Sequence, residues 1–110
     1  MILNLQQLRK LTQGDVAIEQ ELAVLFCATA ERCLASLQAS AADAGKGAQW
    51  PLLLHELRGA ALNLYAQELA ELCRQYEPLA TVPQRQSAAS ELLLAYGQLR
   101  TQLTPLLSPR

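Results

Sequence analysis

The feature that most constrains this chain is the spacing of its apolar residues between Asp15 and Ser40. Ile18, Leu22, Leu25, Phe26, Thr29, Cys33 and Leu37 recur at steps of three and four, the period of one face of an α-helix and not of a strand. Asp15 stands where an N-cap is wanted. The segment predicts about seven helical turns, long enough to form one wall of a bundle.

The rest of the chain reads in the same period. Leu5, Leu8 and Leu11 predict a short amphipathic helix from Asn4 to Leu11, interrupted by Thr12-Gln13-Gly14-Asp15. Ala44-Gly45-Lys46-Gly47 breaks the chain again, and Pro51 suits the first turn of a third helix from about Gln49 to Leu64. A fourth helix, with Leu69, Leu72, Cys73 and Tyr76 inward, runs to about Tyr76 or Leu79, where Pro78 and Pro83 bracket a connection. The fifth spans Gln84 to Leu103 and carries Ala88, Leu92, Leu93, Ala95, Tyr96 and Leu99. The expected fold is all-α: an antiparallel up-down-up-down four-helix bundle with a short additional N-terminal helix, since each apolar stripe then packs on two neighbours. Residues 1–104 form one domain in this reading. The tail 105–110, with Pro105 and Pro109, is expected to fray.

Charge and cysteine content narrow the function. Nine basic and ten acidic residues, for a net charge of −1, create no broad field for nucleic acid or an anionic membrane. Cys27, Cys33 and Cys73 have no C-x-x-C spacing, and the single histidine cannot complete a zinc set with them. They read as buried thiols in a reducing compartment. No apolar run is read as approaching a membrane span, and the segment Met1-Ile2-Leu3-Asn4 has no charged region ahead of an apolar one. The chain is therefore expected in the cytoplasm.

Helix three has an unusual face. On a wheel of about 100° per residue, Leu53, Leu57, Ala60 and Leu64 share a narrow arc flanked by Trp50, Leu54 and Ala61, which must face the core. His55 lies opposite, with Pro51, Leu52, Arg58, Gly59 and Leu62 around it. A stripe facing water should be charged, and this one combines one imidazole, one guanidinium, a glycine and an apolar border. A mid-helix glycine costs about 1 kcal/mol relative to alanine, so close approach by a partner is the favoured reason for Gly59. The plain alternative is an ordinary surface histidine beside a solvated arginine.

The segment Trp50-Pro51-Leu52-Leu53-Leu54-His55-Glu56-Leu57-Arg58-Gly59-Ala60-Ala61 resembles the phosphoacceptor motif of bacterial histidine phosphotransfer (HPt) domains, in which His-x-Leu-Lys-Gly is followed by small residues. Ala66, Leu69, Leu72, Cys73 and Glu77 also stand where that family tends to place alanine, leucines, a cysteine and the glutamate closing the next helix. Two positions depart. The family's lysine is Arg58, which keeps the charge but presents a planar fork. The glycine usually found ten residues after the histidine is Tyr65, and a left-handed residue with a side chain costs energy that glycine avoids.

The resemblance implies a role for each residue. His55 would be the phosphoacceptor, since an imidazole of ordinary pKa near 6.5 is largely neutral at cytoplasmic pH and keeps a free lone pair. Arg58 would offset charge on the phosphoryl oxygens, and Gly59 would leave room for the receiver active site. Glu77 matches the position that bonds Nδ1 in chemotaxis kinases, leaving Nε2 as nucleophile; its alternative is a surface carboxylate at a helix end. Leu52 and Leu62 would either contribute to a docking patch or pack on a neighbouring helix. The implied partners are response-regulator receiver domains and a hybrid sensor histidine kinase. The chain needs no cofactor of its own, because Mg²⁺ belongs to the receiver. No glycine-rich nucleotide loop is present, so a relay without autokinase activity is expected. The rival is an HPt-like docking module that regulates a kinase or receiver without taking phosphate; an unrelated helical interaction module is a further one. The initial methionine and the absence of flanking linkers favour an independent protein, with a domain cut from a hybrid kinase as the alternative. A monomer is expected because four helices already close a core.

Overall fold

A computed structural model of the chain describes residues 5–107; the expectations placed on residues 1–4 and 108–110 lie outside that range. Among the described residues there are five α-helices and no strand: α1 (Leu5–Thr12), α2 (Val16–Ala42), α3 (Gln49–Asn63), α4 (Gln67–Tyr76) and α5 (Val82–Leu107). One 3-10 turn, Ala44–Lys46, lies between α2 and α3. At about 1.5 Å per residue, α2 and α5, of 27 and 26 residues, account for most of the 44 Å long axis. The shorter α3 and α4 cover only part of that length.

The helix ends follow local chemistry. The Asp15 carboxylate accepts from the Ile18 amide at 3.2 Å, the N-cap arrangement expected for α2. Thr81 does the same for α5, its Oγ1 accepting from the Gln84 amide at 3.3 Å, so Pro83 lies inside the first turn and not in the connection before it. That placement suits a residue without an N–H, since first-turn amides have no intrahelical partner. At the end of α3, Tyr65 adopts φ +58°, its amide donates to Leu62 O at 3.1 Å, and the Ala66 amide donates to Ala61 O at 2.8 Å. This is the Schellman pattern, with a tyrosine in the left-handed position that usually falls to glycine.

Packing closes a ring. α2 contacts α3 and α5, α3 contacts α4, and α4 contacts α5, while α1 lies on α2. Trp50, Leu54, Leu57, Leu69, Leu92 and Leu99 are fully buried in one connected core. All three cysteines are buried and free, as their sequence context suggested. The Trp50 indole N–H donates to Tyr76 O at 2.9 Å, which joins the first turn of α3 to the last turn of α4. The Phe26 and Tyr96 rings lie 6.1 Å apart, and the Tyr96 hydroxyl donates to Glu31 at 2.5 Å, joining α2 to α5. Leu8 anchors α1, and Thr12 Oγ1 donates to the buried Glu19 carboxylate at 3.1 Å.

Three sequence expectations are corrected. Residues 105–107 of the expected frayed tail are helical: α5 continues through Pro105 to Leu107. Proline so close to a helix end removes a single ladder bond, and the buried Leu103 and Leu106 side chains hold the last turn against the core. Gln20 adds a bond to Leu107 O at 3.4 Å. Next, α2 is long and apolar enough, by length and composition alone, to cross a membrane, although no stretch of the sequence was expected to reach that size. Its buried residues lie against α3 and α5. Finally, Ile18 and Leu25 share the apolar spacing of α2, Leu11 that of α1 and Leu93 that of α5, yet all four are exposed.

Candidate functional site

The site is built on the outward face of α3. Trp50, Leu54, Leu57 and Ala61 are fully buried, Leu64 nearly so, and Leu53 and Ala60 only partly. The core arc is thus centred about 50° round the helix from the expected one, on a wheel of about 100° per residue. Trp50 supplies the reason: burying its large ring, with the indole N–H on Tyr76 O, turns α3 toward that side. The rotation leaves Gly59 and Leu52 at the crest of the exposed face. His55, also exposed, stands beside them, and Arg58 falls to the half-buried flank over α4.

His55 makes no hydrogen bond or ion pair within the described residues, so its imidazole is open to a partner. A Cβ built on Gly59 meets no atom within 4 Å. Internal packing therefore gives no reason for a glycine there. Leu52 is 71% exposed and Leu62 46%, so neither side chain is buried against a neighbouring helix. Between α2 and the C-terminal end of α3 lies a shallow cleft lined by Leu22, Leu25, Phe26 and Thr29 on one side and by Ala60, Asn63 and Leu64 on the other. Leu25, 63% exposed, extends the apolar border of the face onto α2. The signal for it was present, since Leu25 sits well off the arc defined by Phe26, Cys33 and Leu37 on a helical wheel.

Charge is arranged on both flanks. Toward α4, the Glu71 carboxyl is held below its usual range, first by the hydrogen bond from Arg74 and to a smaller degree by Arg58. Burial pushes the Cys73 thiol up to about 12, with Arg58 pulling the other way. The Arg58 charge is therefore felt across α4 as well as on the α3 face. Toward α2, Arg32 pairs with Glu56, the residue after His55. Glu77 closes α4 as its C-cap, half-exposed, and no hydrogen bond joins it to His55. The structure thus brings His55, Leu52, Arg58, Gly59 and Leu62 onto one helix face and leaves Glu77 on another element without a bond to the imidazole.

A family model described as Hpt domain matches residues 21–108, and the chain belongs to that family. Domains of this family carry out phosphotransfer in two-component signalling and interact with response-regulator receivers and kinases. No curated protein and no solved structure matches the chain.

Proposed function

We propose that the chain is a histidine-containing phosphotransfer protein that relays a phosphoryl group between His55 and the aspartate of a response-regulator receiver domain. The observation that carries this reading is an exposed, unbonded imidazole on a face with a half-buried guanidinium and an unobstructed glycine. In the forward step a ring nitrogen lone pair forms the N–P bond while the P–O bond to the aspartate breaks. The electron pair leaves with the carboxylate, and the resulting imidazolium gives a proton to solvent. Such transfer depends on positioning and charge stabilisation more than on covalent help from the acceptor.

The residues divide this work. Arg58 offsets charge on the phosphoryl oxygens. Gly59 lets the receiver backbone come close, and Leu52 and Leu62 supply the apolar contact of a transient interface. Glu77, which has no hydrogen bond or ion pair among the described residues, is assigned the orientation of the imidazole in the docked state. Mg²⁺ enters with the receiver. The partners in this reading are receivers and a hybrid sensor kinase, with no role for nucleic acid or a membrane. The chain acts as a cytoplasmic monomer, a single domain in which α2 to α5 alternate in direction around the core.

Phosphotransfer from a panel of phosphorylated receiver domains tests it, with wild type compared against His55→Gln. The expected result is an acid-labile, alkali-stable label on wild type alone. A folded wild-type protein that takes no label from any receiver would move the function to docking without phosphotransfer.

A further inference from the structure

Glu56 poses a problem for a phosphoryl acceptor. It follows His55 directly and projects about 100° round the helix from it, so its carboxylate flanks the place where a phosphoryl dianion would sit. Like charges at that separation repel, and at an exposed site the repulsion depends on salt. The structure contains an answer on the neighbouring helix. Arg32 of α2 reaches across to pair with the Glu56 carboxylate, both side chains remaining about half exposed at 55% and 46%. The Glu56 charge also reaches α2 itself: the Cys33 thiol is pushed up first by burial and next by Glu56.

We propose that Arg32 is a positioning residue for phosphoryl transfer, acting through Glu56 by masking a negative charge beside His55. It does not touch the reacting atoms. Its effect rests on the phosphoacceptor reading of His55 and adds to it a residue on α2 that lies outside the His55–Gly59 segment. An exposed ion pair adds little to stability, which distinguishes this role from a structural clamp. The Arg32 side chain also occupies the same flank of α2 as Leu25, two turns away, so the charge mask and the apolar border line the same side of the site.

The test uses the full chain with two donors: a phosphorylated receiver domain that loads wild type, and phosphoramidate, which has no protein surface. Arg32→Ala should slow loading by about fivefold at low salt with both donors, a loss that fades toward 1 M salt as the Debye length falls to about 3 Å. Arg32→Lys should retain most of the rate. Glu56→Gln should load at least as fast as wild type, and Arg32→Ala combined with Glu56→Gln should return to within about twofold of Glu56→Gln alone. Melting temperature should hardly change in any variant. A double variant as slow as Arg32→Ala, or a loss seen only with the receiver donor, would make Arg32 a docking contact and overturn the masking role. An Arg32→Ala rate equal to wild type would overturn it too. If wild type itself takes no label, the phosphoacceptor reading fails first and this inference goes with it.

Discussion

The outward faces of α3 and α5 share a shape and differ in chemistry. Each carries a mid-helix glycine, Gly59 or Gly97, at which an added Cβ meets nothing within 4 Å. Each also exposes two leucines, Leu52 and Leu62 on α3, Leu93 and Leu94 on α5. The shallow α5 groove is otherwise lined by Ser90, Gln98 and Thr101, none of which titrates. On α3 the same setting holds an imidazole with no hydrogen bond among the described residues, with a guanidinium on one flank and a carboxylate paired with Arg32 on the other. Exposed leucine and open glycine therefore provide room and adhesion on either face. Of the two faces, only α3 offers what the proposed transfer requires, an imidazole beside a guanidinium.

The largest expected effect separates the faces completely. His55→Gln should abolish phosphoryl loading, while Leu94→Gln on α5 leaves it intact, both read from acid-labile label after incubation with a phosphorylated receiver. Loading that survived in His55→Gln would break the comparison at its base. The next effect asks whether the two glycines differ in function as they do not in space. Gly59→Gln should slow transfer by about tenfold or more, some 1.4 kcal/mol or more of barrier, and Gly97→Gln should not. Both should keep their helicity, with melting unchanged or slightly raised, because glutamine is the better helix former by up to about 1 kcal/mol. Equal slowing by both would mean that the partner covers α5 as well.

A smaller effect sharpens the role of charge on α3. Arg58→Ala should slow transfer by a few-fold to about tenfold, which is the scale of one partly solvated charge-assisted hydrogen bond. Arg58→Lys should recover most of it, since a compact ammonium still offsets phosphoryl charge while losing the planar fork. Steady loading in Arg58→Ala would assign the half-buried guanidinium to α4 alone, where Glu71 and Cys73 already feel it.

Much of this contrast was legible in the sequence, for physical reasons that also explain the misses. The three- and four-residue period marked all five helices, and Asp15 announced the start of α2 through a cap that needs only local chemistry. His55 read as outward because every other phase of α3 would have buried it in place of leucine. The exact phase was not legible. Trp50 and Leu53 are both apolar, and only the bond from the indole to Tyr76 O, a contact across 26 residues, decides which faces inward. The same excess of apolar residues misled the reading of α2, where more of them exist than the core can take, so that Leu25 and Ile18 remain at the surface. Arg32 gave no local signal at all, because its partner lies on another helix. The turn at Pro105 was misread since a propensity rule was applied where tertiary burial of Leu106 prevails.

Tyr65 sets the smallest effect, and it bears on how α3 presents its face. The left-handed residue at φ +58° ends α3 and turns the chain into α4, so its geometry fixes the hairpin on which the His55 and Arg58 flanks depend. A side chain in that conformation costs about 1–2 kcal/mol, yet simple replacement by glycine would also remove a half-buried ring that packs on the core. The two contributions are comparable, and Tyr65→Gly alone would mix them. Comparing Tyr65→Gly with Tyr65→Ala separates them, because both lack the ring and only glycine relieves the strain. Tyr65→Gly should be the more stable of the pair by about 1 kcal/mol in chemical denaturation, even though glycine loses more chain entropy on folding. Both should load phosphoryl groups at the same rate. A Tyr65→Ala protein at least as stable as Tyr65→Gly would show that the end of α3 does not hold a left-handed residue in solution, and the register of α3 against α4 would then rest on the Trp50 to Tyr76 bond and the packing of the core.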